Sequence, residues 1–239
     1  MRRSRLLPIL VLGLVLAGCG NVQLAGGSGS SSGGDGAPGE TSTQRHDVAI
    51  TRVEVESDAG TLDVRAGADG SATVDRTLRW SGDRKPVVTE TVEGTTLTIN
   101  ASCPGRGSDR CEAGLVVTVP AAAAVRARLQ AGDVTVTGLA GDQDLSSRAG
   151  GVRGERLGAT QVTAQTSAGE VDLVFAAAPR TVDARSSAGS VSVRVPGGPY
   201  AVTAETSVGE AEVTVPTDPG APSRITARSS AGEVTVGAA

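Results

Sequence analysis

Six hydroxyl side chains hold the same place in a recurring segment of this chain. Ser57, Ser147, Thr166, Ser186, Thr206 and Ser229 each stand three residues before a glycine, and only Leu129 interrupts the series. A row of hydroxyls could be a row of nucleophiles, but a serine attacks only when a neighbouring base takes its proton. The chain has one histidine, His46, which precedes every copy of the segment. A Ser-His-Asp or Cys-His set is therefore not expected in the repeats. The other reading is structural: hydroxyls beside a chain corner satisfy backbone groups there.

Two charged columns raise the same question. Asp133, Glu170, Glu210 and Glu233 follow the glycine by one residue, while Arg185, Glu205 and Arg228 precede it by four. Paired carboxylates can cleave a glycosidic bond, and an acidic column can hold a cation or a glycan. Yet Gly151 and Ser190 interrupt the acidic column, and the Arg, Glu, Arg alternation matches favourable cross-strand pairing on successive strands. No helix follows the glycines, so they do not form a phosphate loop. No catalytic residue, no metal site and no cofactor is expected. Cys103 and Cys111 flank a polar loop. In an exported protein that reads as a disulfide pinning the loop. A metal site is the alternative, though no further Cys or His lies nearby.

The elements that position these columns follow from the spacing. The glycines are Gly60, Gly132, Gly150, Gly169, Gly189, Gly209 and Gly232, and from Gly132 onward they lie 18, 19, 20, 20 and 23 residues apart. A near-constant period of about 20 means stacked supersecondary units. Seven residues before each glycine stands Val53, Val125, Val162, Val182, Val202 or Ile225, with Gln143 breaking the column. Five before stand Val55, Ala127, Leu145, Ala164, Ala184, Ala204 and Ala227, and one before stands an alanine or Val208. This period-two alternation marks a half-buried strand. After the glycine the phase shifts, and apolar residues return two and four places later, as at Val171 and Leu173. Each unit therefore reads as strand, glycine corner, strand. Glycine suits a corner that needs positive φ.

Between Val64 and Leu115 the period lapses. Thr73 to Trp80 alternates, and Val87 to Val92 with Thr95 to Ile99 reads as a hairpin across Glu93-Gly94. Leu115 to Val119 is a further strand, ended by Pro120. The expected fold is all-β: a β-solenoid, a β-helix-like stack of parallel short strands, preceded by a less regular β part. One Trp, one Tyr and one Phe suit a thin core of Val, Ala and Leu better than a large globular one.

The N-terminus reads differently. Arg2, Arg3 and Arg5 precede an apolar run, Leu6 to Ala17, too short to span a membrane as a mature helix; residues 1–18 are a secretory signal. Leu16-Ala17-Gly18-Cys19 resembles the lipobox of bacterial lipoproteins. The resemblance implies cleavage before Cys19 and a diacylglycerol on its thiol, hence a membrane anchor on the extracytoplasmic face. Residues 19–46 are rich in Gly and Ser and read as a flexible tether with a mean reach of roughly 30 Å. Residues 47–239 are the folded domain.

The chain carries 22 basic and 26 acidic residues. Removing three arginines with the signal leaves 22 − 3 = 19 basic residues and a net charge of 19 − 26 = −7. That balance argues against nucleic-acid binding, which needs a concentrated basic surface. Leu115-Val116-Val117-Thr118-Val119-Pro120, followed by serial Ser/Thr-Ala-Gly-acidic-Val-x-Val units, resembles the bacterial cell-envelope family labelled "putative adhesin", a domain of unknown function. The resemblance spans roughly Val48 to Val236 and implies an extracytoplasmic β-solenoid without catalytic residues. The expected function is binding or adhesion by an anchored, non-catalytic domain. Its partner is an envelope protein or a glycan. The rival readings are a stress or signalling accessory that binds a membrane protein or antimicrobial ligand, and a polysaccharide-active enzyme.

Overall fold

The computed structural model describes residues 39–67, 70–105 and 109–239. The expected signal segment, Cys19 and the expected tether as far as residue 38 lie outside the described residues. In chain order the strands are β1 (Gly39–His46), β2 (Arg52–Ala59), β3 (Leu62–Gly67), β4 (Ala72–Trp80), β5 (Val87–Glu93), β6 (Thr96–Ser102) and β7 (Cys111–Pro120). Six pairs then follow, each divided by a repeated glycine: β8 (Ala124–Ala131) and β9 (Val134–Thr137), β10 (Gln143–Ala149) and β11 (Val152–Leu157), β12 (Gln161–Ala168) and β13 (Val171–Phe175). The last three pairs are β14 (Thr181–Ala188) and β15 (Val191–Val195), β16 (Ala201–Val208) and β17 (Ala211–Val213), β18 (Arg224–Ala231) and β19 (Val234–Ala238). Every element of the described residues is a strand.

The strands form two mixed sheets, and neither closes on itself. The seven that precede the glycines, together with β5 and β6, make a nine-stranded sheet in the order β16-β18-β14-β12-β10-β8-β2-β6-β5, here the pre-corner sheet. The seven that follow them, together with β1, β4 and β7, make a ten-stranded post-corner sheet, β1-β4-β7-β3-β9-β11-β13-β15-β19-β17. From β2 to β16 the pre-corner strands run parallel and align glycine with glycine, so Val162, Val182 and Ile225 are laterally paired, as are Val171, Val191 and Val234. Antiparallel pairing is confined to β1 with β4, β4 with β7, and β5 with β6. Apart from β1, these strands lie largely in the segment where the sequence period lapses.

Alternation dictates the core. The residues seven and five before the glycine and two and four after it are buried in most rungs, from Val53 and Leu62 to Ile225 and Val236. Burying a side chain such as Val or Leu contributes about 1.5–3 kcal/mol, so many thin rungs together replace one thick aromatic core. Phe175 and Tyr200 are buried near the ends of their rungs. The Tyr200 hydroxyl donates to the Pro196 carbonyl, and burial pushes its phenol above the ordinary value.

The structure departs from the sequence reading in three places. Gly39–His46, assigned to the tether, form β1 instead and pair with β4 along their whole length. This strand buries almost nothing; it is held by backbone pairing and side-chain bonds, which hydrophobic patterning cannot detect. Second, the alanines directly before the glycines are mostly exposed, not buried, because the chain leaves the core at the hydroxyl two residues earlier. Third, the last two units are exchanged: β18 lies between β14 and β16, and β19 between β15 and β17. The 23-residue interval before Gly232 supplies the extra chain. Its connection is tied down by buried Val215 and by a bridge between Tyr200 and Thr217.

Candidate functional site

The corner glycines position everything around them. All seven have φ between +124° and +148°, a region that a β-carbon disfavours. Their stacking is equally restrictive: a Cβ on Gly132 would lie 1.7 Å from the Gly60 carbonyl oxygen, and one on Gly189 1.9 Å from that of Gly169. In Gly132, Gly150, Gly169, Gly189 and Gly232 both backbone polar groups are satisfied across rungs. The Gly169 N–H donates to the Ala188 carbonyl at 2.9 Å and the Gly189 N–H to Ala231 at 2.8 Å.

The glycine carbonyls take the hydroxyls. Ser147 donates to Gly132 at 2.8 Å, Thr166 to Gly150 at 2.7 Å, Ser186 to Gly169 at 2.9 Å, Ser229 to Gly189 at 2.8 Å and Thr206 to Gly232 at 2.9 Å. Ser57, at the rung next to the irregular part, reaches only its local Ala59 carbonyl at 3.5 Å. All but Thr206 are buried. This is a structural ladder whose protons are already committed, and among the described residues each of these hydroxyls is bonded to a backbone carbonyl.

Outward from the ladder, the pre-corner sheet presents a groove of about 890 Å³ that runs across six strands. β8 contributes Arg128 and Gln130, β10 Ser146 and Arg148, and β12 Gln165 and Ser167. Arg185, Ser187, Arg228, Ser230, Glu205 and Ser207 come from β14, β18 and β16. The exchange of the last rungs corrects the alternation expected of Arg185, Glu205 and Arg228. Arg185 now faces Arg228 directly across the ladder, and Arg228 faces Glu205. Arg228 Nε lies 3.0 Å from Glu205 Oε2, while Arg185 turns to Asp183 on its own strand at 2.7 Å. Arg128 and Arg148 make no ion pair among the described residues. Columns read in chain order could not show this, because the neighbours in space are not the neighbours in sequence.

The acidic column lies on the opposite face, over the post-corner sheet. Asp133 accepts the Gly151 N–H at 2.7 Å, and nearby Asp172 is paired with Arg194 at 2.8 Å. Glu170 stands alone between the glycine and serine rungs, and the rung exchange makes Glu233 and Glu210 neighbours. Among the described residues, no three His, Cys, Asp or Glu side chains converge as metal ligands would.

His46 is the further correction. It sits on β1 rather than in a tether, with Nε2 2.7 Å from Glu90 Oε2, and Arg76 approaches the other Glu90 oxygen at 3.4 Å. The trio links β1 and β4 of one sheet to β5 of the other. Glu90 bridges His46 and Arg76, so the trio clasps the two sheets together. Cys103 and Cys111 are bonded to each other with Cα atoms 5.9 Å apart. Gln143 is buried where its neighbours have valine, and neither of its amide atoms has a hydrogen-bond partner.

No family model matches the chain, and no curated protein matches it. Among solved structures it is similar to a putative cell adhesion protein from Clostridium sporogenes at 10% identity and a TM-score of 0.47, covering 84% of this chain and 100% of that one. It is also similar to a putative adhesin from Bacteroides fragilis at 14% identity and a TM-score of 0.47, covering 84% and 97%. A putative lipid binding protein from Parabacteroides distasonis is more distant, at 10% identity and a TM-score of 0.32, covering 83% and 96%.

Proposed function

We propose that the chain is an extracytoplasmic β-solenoid, anchored to the membrane by a lipid on Cys19, which binds a surface glycan non-catalytically and so serves adhesion. The observation that carries this reading is the pre-corner groove. Strands held in parallel register place hydroxyl, amide and guanidinium donors in rows that an extended, oxygen-rich polymer can follow. The committed hydroxyl ladder and the His46–Glu90 clasp support a binding role over a hydrolytic one. Repeats stacked through their corner glycines support the solenoid reading. Cys19 stands directly after Leu16-Ala17-Gly18, and a diacylglycerol supplies the two chains that stable anchoring needs.

Ser187→Trp should fill the groove and cut retention of cell-envelope polysaccharide by about tenfold, the equivalent of about 1.4 kcal/mol. Ser192→Trp, on the opposite sheet, should leave it unchanged. Equal retention by the two variants would remove the groove from the account.

A second reading rests on the exposed rung. β16 and β17 are edge strands, Val208 is 68% and Val213 39% exposed, and such an edge can accept a strand from another protein. An envelope protein captured by the wild type but lost with Val213→Asp would favour this accessory role.

A further inference from the structure

We propose that the ligand of the pre-corner groove is a linear polyanionic glycan, bearing carboxylate or phosphate groups along its length, with Arg128, Arg148, Arg185 and Arg228 as its anion contacts. The inference rests on the binding role of that groove and specifies its ligand. The groove's charge is opposite to that of the molecule. Its lining has four arginines and one glutamate, in a chain whose formal net charge is −4.

The arrangement of these arginines is informative. Arg185 and Arg228 occupy paired positions on adjacent parallel strands, about 4.8 Å apart. Like charges directly opposite on a ladder are destabilising. Asp183 and Glu205 relieve the pair from the side, and an anion lying between the two guanidinium groups would relieve it directly. Arg128 and Arg148 make a looser second cluster on neighbouring strands, staggered by two residues, with Arg128 opposite Ser146 and, on its other side, opposite Glu56 of β2. They make no ion pair among the described residues, and their planar forks match carboxylate and phosphate geometry.

The two clusters are separated by β12, which contributes only neutral side chains to the groove. Together the four arginines span β8 to β18, four strand steps, or about 19 Å. One small anion cannot touch all four, whereas a chain with repeated anions can. Trp80, Tyr200 and Phe175 all lie outside the groove, so no ring is available for the face of a neutral sugar. Recognition therefore falls to charge and to the serine and glutamine donors between the clusters.

The test uses the whole chain and two probes, a polygalacturonate oligomer of about ten sugars and the same oligomer with its carboxyl groups reduced to alcohols. The charged oligomer should bind and the reduced one should not. Binding should weaken steeply between about 50 and 300 mM salt. Arg148→Glu with Arg185→Glu should weaken it by at least about tenfold, with the melting temperature held. Arg153→Glu with Arg194→Glu, on the other sheet, should leave it unchanged. Equal binding of both oligomers would keep the glycan-binding role and overturn its anionic character. Binding of neither would overturn both. Full displacement by millimolar inorganic phosphate would show a site for one anion and overturn the extended ligand.

Discussion

Gly189 carries two constraints at once. Its φ of +143° penalises any β-carbon, and the Gly169 carbonyl occupies the space that carbon would need. Gly189→Val should therefore cost about 1–3 kcal/mol in backbone strain and about 1–3 kcal/mol more in forced overlap. Ser192→Thr, outward on β15, should stay within about 0.5 kcal/mol of the wild type. Urea midpoints decide it; equal midpoints would show that the corner does not require glycine. Repetition in the sequence marked these glycines and their hydroxyl ladder, because both recur with one spacing. The close approach of one glycine to the next was not legible, since it depends on which rungs touch. Gln143 was legible as the break in a valine column, and the structure shows that its amide is buried without partners. Gln143→Met, of similar length and without the amide, should stabilise the fold by about 1–3 kcal/mol. A lower urea midpoint for this variant would mean that the amide has a satisfied role.

At the scale of elements, the least legible strand is β1. Its sequence, Gly-Glu-Thr-Ser-Thr-Gln-Arg-His, has no apolar alternation, and a strand added at a sheet edge needs none. What holds it includes the Lys85–Glu40 pair and the His46–Glu90–Arg76 clasp, whose glutamate side chain is only 6% exposed. Removing one partner of a fully buried ion pair costs about 3–5 kcal/mol, and the partial exposure of Arg76 lowers that here. Glu90→Ala should thus destabilise the fold by somewhat less, and amide exchange should rise first in β1 while the glycine rungs stay protected. Uniform exchange across β1 and β12 in this variant would contradict a local clasp. The antiparallel hairpin of β5 and β6, by contrast, was readable from alternation, although its two-residue turn is Gly94-Thr95 rather than the expected Glu93-Gly94. Gly94 adopts the positive φ that such a turn requires.

At the scale of the whole folded domain, the parallel stack was legible and its order was not. Near-identical repeats specify register well, because a slip of one residue would turn every buried valine outward. They specify neighbours poorly, because any unit can pair with any other. The long last interval and its anchoring residues set the exchange of the final two rungs, and that exchange brings Arg185 beside Arg228. The proposed binding face therefore emerges only from the assembled order. The most direct measurement is NMR of the arginine guanidinium Nε–H signals in the whole chain, with and without saturating cell-envelope polysaccharide. The account predicts shifts at Arg128, Arg148, Arg185 and Arg228, with Arg153 and Arg194 on the post-corner sheet unmoved. Polysaccharide that binds while shifting only Arg153 and Arg194, or no arginine at all, would contradict it.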